Sequence, residues 1–176
     1  EKGVVVGDVL DKNVNRAVDY ESNAIYDSAI SYWSTSEDGS EVEKGGVGEI
    51  LQNMADLSQR KIYTYIGTNE NLTHSSNAFT VTNILPGQLG LSTEDERDKL
   101  INFLHGYDAY DDNGNLNFND KRDWILGAFI HSRPLVIHYS SRTVIIAGAN
   151  DGLLHAFDDA TGNELWAFIP PDLLTK

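Results

Sequence analysis

The stretch from Gly148 to Pro171 limits the possible folds of this chain most strongly, because turn residues and apolar segments alternate along it. Its first turn, Asn150–Gly152, uses the residue types that best tolerate a positive φ. Leu153–Asp158 then alternates as a half-buried strand does, and Leu165–Ile169 is a second apolar strand. A second turn, rich in Asp, Thr and Gly, separates these strands, so the stretch predicts two antiparallel neighbours in one sheet.

Two more strands are predicted directly before this stretch. Leu135–Tyr139 and Thr143–Gly148 are apolar segments on either side of Ser140-Ser141, a pattern that favours a hairpin. Together with the two strands above, they make four consecutive strands of the kind that build one blade of a β-propeller. A blade needs roughly 40–50 residues and a closed propeller at least about four blades, so a chain with one blade cannot close a ring. We expect a fragment of a larger protein, or a piece that another chain completes.

The predicted fold class is mainly β with one or two helices, a partial β-propeller. We place one blade at residues 126–176 and an upstream segment of the same domain, made of short strands, helices and loops, at residues 1–125. Short strands are predicted in the upstream segment at Lys2–Val6, at Lys61–Gly67 and at Phe79–Thr82.

Two helices are predicted in the upstream segment, near residues 48–57 and 94–105. The first has apolar residues at helical spacing. The second begins with a capping box, in which the Thr93 hydroxyl accepts a backbone N–H while the Glu96 side chain reaches back. Gly106 can end this helix in a left-handed conformation.

The charge balance limits the partners of the chain. It carries 27 acidic and 13 basic residues, which give a formal net charge of −14. This balance disfavours nucleic acid and anionic lipid as partners, because phosphate binding needs clustered Lys and Arg. The chain has no Cys, which excludes disulfides, thiolate metal sites and covalently attached haem. No transmembrane run is visible, and membrane insertion is not expected.

Residues Ala156–Trp166 resemble the A-x-D-x-x-T-G-x-x-x-W repeat of quinoprotein-like β-propellers. In such folds the Trp docks between neighbouring blades, the Ala permits close approach, and the Asp and Thr-Gly bind the turn together. The resemblance therefore implies that Trp166 faces an adjoining sheet. Dehydrogenases, assembly factors and adhesins share this repeat.

A longer run narrows the resemblance to one family. Residues 126–137, 148–158 and 166–171 look like the opening of the propeller of the PilY/PilC family, which comprises type IV pilus biogenesis proteins and pilus-tip adhesins. Further family-like segments lie, in the family's order, at residues 32–34, 45–51, 60–65 and 94–106. One departure is Ala128, where this family usually has Asp.

The resemblance implies a non-catalytic, exported segment that acts in type IV pilus assembly and in surface adhesion, located outside the cell or at the pilus tip. Its partners would be minor pilins or other pilus-tip proteins, the remainder of the propeller, and an external surface or host receptor. Two alternatives stay open: a fragment of a pyrroloquinoline quinone dependent dehydrogenase, which shares the repeat, and a generic scaffold propeller. The lack of Cys disfavours the dehydrogenase, because such enzymes often use a vicinal Cys pair.

One loop suggests a metal site. Oxygen-bearing side chains recur at a strict two-residue spacing at Asp111, Asn113, Asn115, Asn117 and Asn119. Calcium takes about six to eight oxygen ligands, and a loop of this kind can curl them around one centre. We predict these five residues as ligands of calcium, with Asn117 giving its backbone carbonyl. Proteins that resemble PilY carry a calcium loop of similar spacing in their propellers, with Asp at the ligand positions.

A polar turn is the competing interpretation of this loop. Counted from Asp111, the positions at which an EF-hand needs Gly and Glu hold Leu116 and Arg122. Asn replaces Asp at most ligand positions, which lowers the ligand charge available to a cation. Asn113-Gly114 is also a turn dipeptide, and Asn side chains can cap the backbone without any metal. Both interpretations stay open on the sequence.

The histidines are predicted to have structural roles. None of the five forms an H-x-x-x-H pair on a convincing helix, and no Cys is present to complete a transition-metal site. His155 lies within a predicted strand and His131 lies before one, so a satisfied hydrogen bond is the expected role of each.

Overall fold

The computed structural model describes residues 7–67 and 69–176, and the strand predicted at Lys2–Val6 lies outside these residues. The described part contains two α-helices, α1 (Gly46–Gln52) and α2 (Glu94–His105). Its strands are β1 (Val18–Asp19), β2 (Ala24–Ile25), β3 (Ile62–Thr64), β4 (Leu135–His138), β5 (Thr143–Gly148), β6 (Leu154–Asp158) and β7 (Glu164–Ile169). The fold class is therefore mainly β with two helices, as predicted.

Five of the strands form one sheet in the order β3-β7-β6-β5-β4. The last four strands pair antiparallel with their neighbours in the chain, as their turn residues predicted. The first hairpin closes over Ser140-Ser141, where the Tyr139 N–H donates to the Arg142 carbonyl over 2.8 Å. The four predicted strands are confirmed to within a residue or two at their ends.

The fifth strand comes from the upstream segment. Strand β3 pairs parallel with β7, and Ile62 lies opposite Ala167. The Thr64 hydroxyl adds a side-chain bond to the Ile169 carbonyl, at 2.8 Å. The sheet therefore contains strands from both sides of residue 125. Strand β3 lies before that residue in the sequence, but it pairs with β7, which lies after it.

The upstream strands differ from their predictions. The run predicted as a strand at Lys61–Gly67 forms a strand only at β3. This strand is short because it pairs with β7 over three residues. The strand predicted at Phe79–Thr82 is wrong: after the Phe79 N–H bonds to Ile62, the chain turns, and the Thr80 carbonyl accepts from Ile84. The two-residue strands β1 and β2 pair only with each other.

Helix α2 spans the residues predicted for it. The Glu96 N–H donates to the Thr93 hydroxyl over 3.3 Å, and the Thr93 N–H donates to the Glu96 carboxylate over 3.1 Å. Gly106 ends the helix with a φ of 112°. The helix predicted near residues 48–57 is shorter, since α1 ends at Gln52 and Asp56 instead caps a 3₁₀ turn by accepting from Ser58.

The main core lies between one face of the sheet and α2. Its buried members are Ile62, Phe79, Ile84, Leu89, Ile101, Leu153, Ala167 and Ile169. Each large apolar side chain in such a core contributes about 2 kcal/mol of transfer free energy. Because these residues come from both the upstream segment and the sheet, the two parts share one core.

The turn between β6 and β7 packs against the upstream segment. The Trp33 indole N–H donates to the Asp159 carbonyl over 2.8 Å. Gly162 has a φ of 72°, and a Cβ there would lie 2.7 Å from atoms of both Trp33 and Ile50. This turn therefore needs glycine for its backbone and for its packing.

Neither helix in the described part of the chain has the length and apolarity needed to cross a bilayer.

Candidate functional site

A buried ionic network joins the upstream segment to the sheet. The Arg60 guanidinium donates to both carboxylate oxygens of Glu164, over 2.7 Å from Nε and 3.0 Å from Nη2. Its Nη1 donates to the Leu104 carbonyl at the end of α2, over 2.7 Å. The side chains of Arg60 and Glu164 are each only 1% exposed. The pair therefore carries two fully desolvated charges that each need the other.

His155 extends this network on β6. Its Nδ1 lies 2.7 Å from Oε1 of Glu164, and its Nε2 lies 3.1 Å from Oδ2 of Asp151. The His155 ring is fully buried and stacks on Phe157 with an interplanar angle of 9°. Both ring nitrogens face carboxylate oxygens, which only accept hydrogen bonds, so a doubly protonated ring satisfies both contacts.

Asp151 connects the network to the chain before β4. Its Oδ2 accepts from the Gly127 N–H over 2.9 Å, and its Oδ1 accepts from the Leu153 N–H over 3.0 Å. A Cβ on Gly127 would lie 2.5 Å from the Asp151 backbone nitrogen, so only glycine allows this approach. The network thus ties together the segment at Arg60, the end of α2, the sheet and the segment at Gly127.

The surroundings shift the pKa values of the network. Burial opposes ionisation of Glu164, but hydrogen bonds from His155 and Arg60 outweigh it and lower the pKa of Glu164 to about 2. Burial likewise opposes protonation of His155, yet its hydrogen bonds to Asp151 and Glu164 raise its pKa above the ordinary 6.5. For Asp151 too, the bond to His155 overcomes burial and lowers the pKa. The network therefore favours charged forms that hold one another in place.

The sequence revealed these residues only in part. Asp151, His155 and Glu164 all lie in or beside the stretch that resembles the propeller repeat, and the satisfied hydrogen bonding expected of His155 is confirmed. Asp151 was predicted only as a turn residue. Arg60 lies 104 residues before Glu164, and nothing local in the sequence marks it as the partner.

The loop predicted to bind calcium is exposed and bonded within itself. Four of its side-chain oxygens accept backbone N–H groups of the same loop, in the pairs Asp111 with Leu116, Asn113 with Asn115, Asn115 with Asn117, and Asn117 with Asn119. Asp111 and Leu116 have the left-handed φ values 58° and 63°. Hydrogen bonds of this kind, from backbone N–H groups to nearby Asn and Asp side chains, are those that the polar-turn interpretation predicts.

The Asp120 side chain holds two residues of this loop together by hydrogen bonds. Its Oδ2 accepts from the amide nitrogens of Asn113 and Asn115, over 3.3 Å and 2.7 Å, while its Oδ1 is buried without a protein partner. These hydrogen bonds hold the loop in its shape without any metal ion. Among the described residues, no three or more His, Cys, Asp or Glu side chains are grouped so that they could hold a metal ion. Calcium binding here stays a prediction.

Two curated proteins are similar to this chain. The type IV pilus biogenesis factor PilY1 of Pseudomonas aeruginosa (strain UCBPP-PA14) is 25% identical over 178 residues, an alignment that covers 81% of this chain and 14% of PilY1. A type IV pilus biogenesis factor PilY1 homolog of Xylella fastidiosa (strain Temecula1) is 30% identical over 125 residues, which cover 56% of this chain and 10% of the relative. The chain thus matches a small part of the length of either relative.

No protein-family model and no solved structure matches the chain. The two relatives nevertheless carry the family name that the motifs in residues 126–171 suggested. Both relatives support the assignment to the PilY family that the motif resemblance predicted.

Proposed function

We propose that this chain is a non-catalytic segment of an exported PilY-type protein that acts in type IV pilus assembly and surface adhesion. The observation that carries the proposal is the antiparallel sheet of β4 to β7, in which the propeller-like repeat Ala156–Trp166 forms the last hairpin. The relationship to two proteins named as pilus biogenesis factors supplies the biological setting.

We propose that the antiparallel strands β4 to β7 form one propeller blade and that one face of their sheet docks a neighbouring blade. Cross-strand partners lie on the same face of a sheet, so Leu135, Ile146, Ala156 and Trp166 share one face. Leu135 is 57% exposed on this face. Ala156, at the centre of the same face, is fully buried, as are His155 and Ala167 on the opposite face. The occupant proposed for the Trp166 face is the next blade of a longer parent protein.

Fluorescence of Trp166 tests the blade. Replacing Trp33 and Trp124 by Phe leaves Trp166 as the single indole of this chain. When the chain is part of the full-length parent, we expect a blue-shifted Trp166 emission and weaker quenching by acrylamide than in the 176-residue chain, with other indoles of the parent also replaced. Equal quenching in both proteins would contradict docking.

Genetics tests the pilus role. We expect deletion of the parent gene to reduce surface piliation and twitching, and the wild-type gene to restore both. A Trp166→Ala gene should restore them poorly, whereas Leu85→Ala, which changes an exposed side chain far from the repeat in sequence, should restore them fully. Normal piliation in the deletion strain would count against the function.

The partners follow from the same proposal. They are minor pilins or other pilus-tip proteins, the remainder of the propeller, and an external surface or host receptor. A non-catalytic role is proposed as well. Reconstitution of the full-length parent with pyrroloquinoline quinone and calcium, followed by assays of alcohol and aldose oxidation, tests it, and turnover would overturn it.

Calcium modulation is a further part of the proposal. It needs the oxygens of residues 111–119 to turn towards one cation, and the low carboxylate count predicts weak affinity. Calorimetry at millimolar calcium should give heat with the wild type and none with Asp111→Ala. An absence of heat and of thermal stabilisation in the wild type would remove calcium from the proposal.

A further inference from the structure

A groove with two chemically different ends crosses the surface beside the buried network. Two cavities of about 250 Å³ and about 460 Å³ adjoin, because Glu43 and Trp124 line both of them. Together they are large enough to take several side chains of a bound segment. Neither cavity is used by the proposed docking of a neighbouring blade.

The larger cavity is apolar and open. Besides the two shared residues, it is lined by Val42, Leu126 and the segment 127–130. Val42 is 89% exposed and Ile130 is 65% exposed, while Phe129 is 37% exposed. Exposed apolar side chains gathered in one concave place, rather than scattered singly, mark an interaction site.

The smaller cavity is acidic. Glu43, Asp108, Asp112 and Asp123 line it together with a single cation, Arg122. The Arg122 guanidinium carbon lies 3.9 Å from the centre of the Phe103 ring. Four carboxylates against one guanidinium leave this end of the groove negative, in a chain whose net charge is already −14. A cationic group is the complementary ligand.

The walls of the groove are held in place before anything binds. Trp124 packs so closely on α1 that a Cβ at Gly48 would lie 2.2 Å from its ring. The Asn150 N–H donates to the Ala128 carbonyl over 3.0 Å, beside the bond between Gly127 and Asp151. Phe129 sets its ring edge against the ring of His155. A pre-formed site loses less entropy on binding than a mobile one.

The groove stays accessible when a blade covers the Trp166 face. Phe129 contacts His155, and His155 lies on the face opposite to Ala156, its neighbour in β6. The two surfaces are therefore on different faces of the sheet. A partner in the groove and a blade on the Trp166 face do not compete.

We infer that this groove binds an extended peptide segment of a partner protein in which apolar side chains stand next to Lys or Arg. The apolar side chains occupy the cavity at Phe129 and Ile130, and the cation lies among the carboxylates at Asp112 and Asp123. A second copy of this chain is a poor occupant, because two chains of charge −14 repel each other. The inference does not depend on the pilus role, since it concerns binding by the chain alone.

Fluorescence anisotropy with labelled synthetic peptides tests the inference. The probe has two apolar residues, Leu-Phe, followed by three Lys; one control peptide replaces Lys by Glu and another replaces Leu-Phe by Ser-Ser. We expect the 176-residue chain to bind the probe at least about tenfold more tightly than either control peptide. Raising the salt concentration should weaken binding of the probe, because exposed charges are screened.

Paired variants locate the site. Asp112→Asn with Asp123→Asn should weaken binding about fivefold, and Ile130→Ser should weaken it about tenfold. The control for the charge change is Glu37→Gln with Glu70→Gln, which removes the same charge elsewhere. The control for Ile130→Ser is Leu85→Ser, because Leu85 is 64% exposed and Ile130 is 65% exposed. The controls should bind as the wild type does.

A second readout separates loss of the site from loss of the fold. With Trp33 and Trp166 replaced by Phe, the emission of Trp124 should shift when the probe is added, because Trp124 lines both cavities. The inference is overturned if the probe does not bind, if the Ser-Ser peptide binds equally well, or if Trp124 does not respond. It is also overturned if the groove variants bind as the controls do.

Discussion

The buried network and the loop of residues 111–119 use the same kinds of side chains in opposite ways. In the network, Arg60, His155 and Glu164 are buried and bonded to partners as far as 104 residues away. In the loop, exposed Asn and Asp oxygens bond to backbone groups two to five residues away. The first arrangement joins separate parts of the chain, whereas the second only shapes a turn.

The difference lies in the cost of desolvation. A charge in the network has lost its water, so losing a partner leaves it uncompensated, which costs several kcal/mol. An oxygen in the loop can exchange its backbone partner for water at little cost. The stability of the molecule should therefore respond strongly to changes in the network and weakly to changes in the loop.

Arg60→Ala should have the largest effect. It removes both hydrogen bonds of the guanidinium from the buried Glu164 carboxylate, and we expect the free energy of unfolding in urea to fall by about 4 kcal/mol. Arg142→Ala is the control, because the Arg142 side chain is 50% exposed beside Asp158 and should cost less than about 1 kcal/mol. Equal losses would mean that burial does not distinguish the two pairs.

Acid should destabilise the protein through Glu164. Its pKa is lowered from 4.5 to about 2, so its contribution is fully present above pH 4.5 and is lost as the pH falls towards 2. A shift of this size corresponds to about 3 kcal/mol. Urea unfolding of the wild type and of Glu164→Gln across this range measures the contribution, and two parallel pH profiles would refute it.

Alanine substitutions at two glycines with the same φ allow the packing of the β6–β7 turn to be compared with that of the loop of residues 111–119. Gly162 and Gly114 both have a φ of 72°, but a Cβ at Gly162 would clash with Trp33 and Ile50, whereas Gly114 has open space. Gly114→Ala should cost about 1 kcal/mol for its backbone alone. Gly162→Ala should cost about 2 kcal/mol more, because the turn must move away from the upstream segment. Thermal and urea unfolding measure both, and similar losses would show that the turn is loosely packed.

The contribution of His155 should depend on pH in the opposite direction to that of Glu164. Because its pKa is raised above 6.5, its stabilisation is fully present below pH 6.5 and is lost as the pH rises through the folded-state pKa. The stability difference between the wild type and His155→Gln should therefore shrink at alkaline pH. His105 is the control. Burial lowers the pKa of His105, so its neutral form is favoured and its contribution to stability is lost as the pH falls below 6.5.

Asn115→Ala should have the smallest effect. It removes a bond from the Asn117 N–H and a bond to Asp120, both exposed to water. We expect a loss below about 1 kcal/mol in calcium-free buffer. A loss as large as that of Arg60→Ala would show that the loop is part of the core framework.

Much of the sheet could be predicted because its signals are local. The turn at Asn150–Gly152, the hairpin over Ser140-Ser141 and the capping box at Thr93 each involve residues a few positions apart. The polar turn at residues 111–119 was foreseen as one of two interpretations for the same reason. The short β1–β2 pair was not foreseen, because two-residue strands carry no periodic signal.

The sequence by itself determined the four consecutive strands and helix α2, and its motifs carried the resemblance to the PilY family, because turn chemistry, capping and motif spacing act between near neighbours. Only the tertiary structure decided that β3 lies parallel to β7 and brings Arg60 to Glu164. Parallel pairing and buried ion pairs join residues that are distant in sequence, and the hydrophobic collapse that brings such residues together has no local signature.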